Sequence, residues 1–159
     1  MAKVLVAYYT RGGNTAKMAE AVAEGVGEAG AVCDLKPVTE VSEDDLAGYE
    51  GVVLGSPTYY GHPAAEMKAL LDRSVKLHGR LAGKVGGAFA SCGVRGGGAE
   101  TTVRALLDAL LIHGMVVQGT ASGAHYGPVA VGAPDDAALK DCRELGRRVA
   151  DLVKRLHGA

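Results

Sequence analysis

The chain has 159 residues, enough for one domain that buries roughly two-thirds of the surface its unfolded form would expose. It is 48% hydrophobic and 22% charged with a formal net charge of −1, a balance that argues against a nucleic-acid-binding surface. No apolar run approaches the ~20 residues of a membrane span. Met1-Ala2-Lys3 leads into a strand without a secretory leader, and Cys33, Cys92 and Cys142 have neither disulfide-framework nor zinc spacing, so a cytoplasmic protein with free thiols and no metal is expected.

In chain order, Lys3 to Tyr9 is a near-continuous apolar run, as expected of a strand covered on both faces in a parallel sheet. From Thr15 to about Ala29, Ala19, Val22, Ala23 and Val26 make one stripe and predict a helix stopped by Gly30. Ala31 to Leu35 reads as a second strand and Gly51 to Gly55 as a third, with an acidic connection between them from Thr39 to Glu50. Pro63 is expected in the first turn of a second helix that turns Met67, Leu70 and Leu71 inward. Lys84 to Ser91 supplies a fourth strand, Glu100 to His113 a helix, and Met115 to Gln118 a fifth strand. The closing helix, Asp135 to His157, repeats Leu139, Cys142, Leu145, Val149, Leu152 and Leu156 after a Pro134-Asp135 cap signal. Five short strands alternating with helices predict a single-domain α/β fold with a doubly wound parallel sheet.

Three loops then face one crevice, because each follows a strand at the carboxyl edge of the sheet: Thr10 to Asn14, Ser56 to His62 and Ser91 to Gly98. Glycine, at 24 residues, is about twice as frequent as the usual ~7%, and much of the excess gathers in such loops. The first loop is rich in hydroxyls, amide and glycine and opens a helix, whose unpartnered N–H groups and positive dipole end suit an anion; Thr10, Asn14 and Thr15 add short donors. A plain strand-to-helix turn capped by Asn14 or Thr15 is the competing reading. Tyr59 and Tyr60 in the second loop either stack on a flat ring or cover the sheet edge. The third loop, Ser91-Cys92-Gly93-Val94-Arg95-Gly96-Gly97-Gly98, offers backbone amides to a polar ligand or is simply a surface connection. A phosphate site beside a stacked heteroaromatic describes a mononucleotide.

Val4 to Gly25 (VLVAYYTRGGNTAKMAEAVAEG), Gly55 to Arg73 (GSPTYYGHPAAEMKALLDR) and Gly83 to Thr102 (GKVGGAFASCGVRGGGAETT), with His113-Gly114-Met115 and His125-Tyr126-Gly127, resemble the flavodoxin-like, FMN-dependent NAD(P)H:quinone reductases, also called tryptophan-repressor-binding-protein-like. The likeness spans almost the whole chain. It implies a flavodoxin-like five-stranded parallel sheet in the order 2-1-3-4-5, the order already known for flavodoxins, with FMN at the switch point. It further implies that Thr10, Arg11, Gly12, Gly13, Asn14 and Thr15 wrap the FMN phosphate. Pro57, Thr58, Tyr59, Tyr60 and Gly61 would line one side of the flavin, and Ser91, Cys92, Gly93, Val94, Gly96 and Gly97 its pyrimidine side and ribityl chain. His125 falls near where the family brings a polar residue to the flavin face, often from a neighbouring subunit. His62 stands where the family often has asparagine, and the Lys36 to Glu50 connection is shorter than in typical members.

The activity so implied is transfer of two electrons from NADH or NADPH to a quinone-like small molecule by a dimer or tetramer. No spacing in the chain demands a side-chain acid or base, and Cys92 reads as packing as readily as redox chemistry. The alternative is a flavodoxin-type one-electron carrier that docks on redox partner proteins, although a near-neutral chain lacks the charge that steers such docking. A non-enzymatic or dinucleotide-binding module is the third reading; Asp34 lies where a ribose-binding acid would, but Gly12-Gly13 is not the G-x-G-x-x-G turn.

Overall fold

Along β1 (Lys3–Tyr8) successive side chains alternate between two buried layers, Val4 and Val6 on one face of the sheet and Leu5 and Ala7 on the other. A strand apolar on both faces is stable only when helices cover both, and the computed structural model, in which residues 1–158 are described, has that arrangement. The strands are β1, β2 (Val32–Pro37), β3 (Gly51–Tyr59), β4 (His62–Pro63), β5 (Val85–Cys92), β6 (Val116–Val117) and β7 (Val129–Val131). The helices are α1 (Asn14–Glu28), α2 (Ala65–Arg73), α3 (Ala99–Ile112) and α4 (Asp136–His157).

The parallel path runs β2-β1-β3-β5-β6, the expected order 2-1-3-4-5 once the hairpin strand β4 is set aside. Helices α1 and α4 cover the face that carries Val4, Val53 and Phe89; α2 and α3 cover the face that carries Leu5, Leu54 and Ala88.

The α1–α4 contact is backbone to backbone. A Cβ on Gly25 would lie 2.0 Å from the Arg143 carbonyl oxygen, and one on Gly146 would lie 2.1 Å from that of Val22. Gly55 on β3 leaves room for the ring of Phe89, the chain's one phenylalanine, whose Cζ would lie 2.0 Å from an added Cβ.

Four readings of the sequence are corrected. Pro63 is in β4, paired with Thr58, rather than in a helical turn; the helix begins at Ala65 because Pro63 is held by the ladder. The edge strand expected over Met115 to Gln118 is two short pieces: β6 pairs with the start of β5 and β7 with its end, and the chain bulges out between them. α1 is capped neither by Asn14 nor by Thr15: its N-cap is Gly13, with φ 98°, which has no side chain to accept from the first-turn N–H groups. By contrast Asp135 caps α4 as expected, its carboxylate accepting from the Ala138 N–H at 2.8 Å. Leu156, expected on the buried stripe of α4, is exposed in the helix's last turn.

Candidate active site

The carboxyl ends of β1, β3 and β5 open onto one crevice of about 150 Å³, lined by Thr10, Arg11, Gly12, Asn14 and Thr15 from the first loop, Pro57, Thr58 and Tyr59 from the second, and Ser91, Cys92 and Gly93 from the third. The three loops named from sequence therefore meet. Of the other expected residues, Gly13 is the helix cap behind the first loop, Tyr60 and Gly61 form the tip of the second, and Val94, Gly96 and Gly97 continue the third beyond the lining. His125 is elsewhere: it is exposed in the bulge between β6 and β7, its Nδ1 2.8 Å from the Thr120 carbonyl oxygen, and borders a separate hollow with Arg104 and Tyr126.

At the first loop the Thr10 Oγ1 accepts the Gly13 N–H at 3.0 Å, which folds the loop back. The first turn of α1 contains no acidic residue and its cap supplies no side-chain acceptor, so its N–H groups face the crevice mouth with the helix dipole behind them. Arg11 carries the only formal charge among the described residues of the lining. Thr15 and Ser91 join the first and third loops through a hydroxyl pair at 2.8 Å. At the rim, the phenol of Tyr9 has a raised pKa, through desolvation first and then the nearby Glu66 carboxylate.

The second loop is a β3–β4 hairpin turning on Tyr60 and Gly61, both with positive φ, 51° and 79°. Such two-residue turns favour asparagine and glycine, so a fully exposed tyrosine there is held in a strained conformation. The hairpin is pinned at both ends. Ser56 Oγ donates to the Pro57 carbonyl at 2.8 Å and accepts the Ala64 N–H at 2.9 Å. Thr101 Oγ1 lies 2.8 Å from the carbonyl oxygens of both Gly61 and Gly98. Gly98 itself has φ 94°, and a Cβ there would come within 2.9 Å of the Gly61 Cα, so the hairpin tip and the third loop touch through two glycines. Thr101 escapes sequence reasoning, because nothing local marks a side chain whose partner is forty positions away.

Residues 5–124 match the family described as "Flavodoxin domain". The chain belongs to that family. An NAD(P)H dehydrogenase (quinone) of Rhodopseudomonas palustris strain TIE-1 is 36% identical to this flavodoxin-family chain over 99% of it and 100% of the relative. Similar proteins of the same name from Bradyrhizobium and Nitrobacter winogradskyi are 35% and 34% identical over the same extents. The aligned length is 199 positions against 159 residues here, so the relatives carry segments that this chain lacks. Among solved structures, a flavodoxin WrbA-like protein from Agrobacterium tumefaciens superposes with a TM-score of 0.82 at 28% identity, covering 98% of this chain and 99% of that one. A flavodoxin from the domain Archaea does so at 0.80 and 27%, covering 96% and 99%.

The crevice of this flavodoxin-family chain fits a phosphorylated, ring-bearing cofactor on its own terms. Thr58 Oγ1 is buried in its wall without a hydrogen-bond partner among the described residues, and a Cβ on Gly12 or Gly93 would meet nothing within 4 Å, so the backbone there is open to a close ligand.

Proposed function

We propose that residues 1–159 form one FMN-binding domain that passes two electrons from NADH or NADPH to a quinone or similar small acceptor. The observation that carries this reading is the uncapped start of α1 opening into the same crevice as the tyrosine hairpin and the glycine loop. Full-length relatives that bear the name NAD(P)H dehydrogenase (quinone) support it.

In this reading the first-turn N–H groups of α1, with Thr10, Asn14 and Thr15, hold the phosphate, and Arg11, Gly12 and Gly13 close the loop around it. Pro57, Thr58 and Tyr59, with Tyr60 and Gly61 at the tip, flank the ring and exclude water from one side; Thr58 donates the hydroxyl that has no partner among the described residues. Ser91, Cys92 and Gly93, continued by Val94, Gly96 and Gly97, follow the sugar-alcohol chain and the polar edge of the ring. FMN, when bound, supplies the hydride-accepting and hydride-donating chemistry. The chain's residues bind it, orient it and restrict access to it.

The proposal extends to a dimer or tetramer, in which a neighbouring subunit would bring His125 to the ring, and to a cytoplasmic location, where Cys33, Cys92 and Cys142 stay reduced. No helix among the described residues is long and apolar enough to cross a membrane.

Titration with FMN, read by quenching of flavin fluorescence, tests the site; anaerobic bleaching of the complex by NADPH or NADH tests the reaction. Binding without bleaching would favour the one-electron carrier instead, and the absence of binding would remove both readings.

A further inference from the structure

The hairpin wall of the crevice turns on residues whose own chemistry does not favour the turn. Tyr60 and Gly61 both have positive φ, 51° and 79°, a conformation that asparagine and glycine take readily and a bulky side chain does not. Tyr60 is fully exposed, so no packing of its ring holds it there. Ser56 fixes the base of the hairpin, through the Pro57 carbonyl and the Ala64 N–H. At the tip the tie comes from another element.

Thr101, in the first turn of α3, supplies it. Its Oγ1 lies 2.8 Å from the Gly61 carbonyl oxygen and 2.8 Å from that of Gly98. A hydroxyl has one proton and both carbonyls only accept, so the two bonds compete. The Gly98 oxygen already accepts the Thr102 N–H at 3.0 Å, whereas no other donor reaches the Gly61 oxygen among the described residues. Donation to Gly61 therefore gives that carbonyl its one protein partner and joins hairpin to helix. Donation to Gly98 adds a second bond to a satisfied carbonyl and leaves the tip held by contact alone.

The contact is close on every side of this hydroxyl. A Cβ on Gly98 would lie 2.9 Å from the Gly61 Cα, 3.1 Å from Thr101 Oγ1 and 3.6 Å from Thr58 Cγ2. Thr58 is the crevice-wall residue whose buried hydroxyl has no partner among the described residues. The seam between the hairpin and the third loop thus runs from the crevice wall to the tip, and Thr101 is the side chain that bonds across it.

We propose that Thr101 is a positioning residue of the crevice: by donating to the Gly61 carbonyl it holds the tyrosine hairpin against the third loop and sets the slot that receives the planar ring of the cofactor. The role rests on the FMN-binding function proposed for the crevice. Thr101 is outside the lining, so it acts through Gly61 and the residues beside it. Because Thr101 is exposed, loss of its hydroxyl should leave global stability nearly unchanged and act on the hairpin.

Thr101→Val, similar in shape but without the hydroxyl, tests this in the full chain, with Thr101→Ser as the rescue. Without FMN, the Tyr60 and Gly61 amides should become more mobile by NMR relaxation in Thr101→Val and return toward wild type in Thr101→Ser, at similar thermal midpoints. With FMN, Thr101→Val should bind about tenfold more weakly, as for one lost hydrogen bond, and its saturated complex should fluoresce more brightly because the ring is less firmly flanked. Thr10→Ala, on the phosphate side, should weaken binding without brightening the saturated complex. Gly98→Ala, whose methyl forces the third loop away from Gly61, should reproduce both effects of Thr101→Val. Wild-type affinity and quenching in Thr101→Val would overturn the proposal, as would lost affinity with unchanged brightness, or a Thr101→Ser that behaves like Thr101→Val. A wild-type chain that binds no FMN would instead remove the cofactor reading and this role with it, an outcome seen before any variant is compared.

Discussion

Thr15 and Ser91, 76 positions apart, share a hydrogen bond of 2.8 Å between hydroxyls, both nearly sealed from solvent. A hydroxyl has one proton. When Ser91 donates to Thr15, the threonine proton is free for a phosphate oxygen; when Thr15 donates to Ser91, it is not. Ser91→Ala should leave Thr15 without the hydroxyl partner that orients it, weaken FMN about tenfold and lower stability by about 1 kcal/mol. Flavin-fluorescence titration and urea unfolding measure the two effects, and unchanged affinity would separate Ser91 from the phosphate site.

Thr10→Ala combined with Thr15→Ala removes two donors, each contributing ~1.5–3 kcal/mol if they bind a charged phosphate, so FMN affinity should fall by tens- to thousands-fold. Because Thr10 Oγ1 also holds the Gly13 N–H, the same variant should loosen the loop, visible as faster amide exchange at Gly13.

Tyr60 holds a left-handed backbone conformation that costs a non-glycine residue roughly 1–2 kcal/mol. Asparagine tolerates that conformation far better, so Tyr60→Asn should stabilise the FMN-free protein by about 1 kcal/mol. If the tyrosine ring flanks the flavin, the same change should weaken FMN binding. A thermal melt without FMN and a flavin titration, taken together, would detect such a trade of stability for function.

Gly25→Ala and Gly146→Ala each place a methyl against the facing helix's backbone, which cannot rotate away. Each should cost at least about 2 kcal/mol, seen as a lower urea midpoint, whereas Gly27→Ala, where a Cβ meets nothing within 4 Å, should be neutral or slightly stabilising.

Burial, and secondarily the Asp34 and Asp141 carboxylates beside them, push the thiols of Cys33 and Cys142 up to about 11 and about 12 respectively. A raised folded-state pKa means that the unfolded chain releases its proton first. The thiol contribution to stability is therefore complete below the unfolded value near 9 and is lost as pH rises from there through 11 to 12. Denaturation midpoints should fall over that interval, Cys142→Ala should flatten the fall, and both thiols should react slowly with a thiol reagent at pH 8.

The elements legible in the sequence were those whose signal is local and long. Val4 to Tyr8 and Gly51 to Gly55 announce buried parallel strands by apolar runs, and α3 and α4 announce their buried faces by helical periodicity. The strand order came from a family likeness rather than from periodicity, because pairing partners leave no mark on the residues between them. The three loops were placed at one edge because each followed a strand, which is topology rather than chemistry.

By itself, then, the sequence determined the alternation of strands and helices, the loop composition that suits an anion and a ring, and the family. Only tertiary structure decided the rest. Two-residue strands such as β4 and β6 exist because neighbouring strands offer them a ladder, and Gly25, Gly98 and Gly146 are required because another backbone comes close. His125 lies away from the crevice, and Thr101 reaches the hairpin tip, because elements distant in sequence were brought together. Those properties belong to contacts between segments, and composition and spacing describe only one segment at a time.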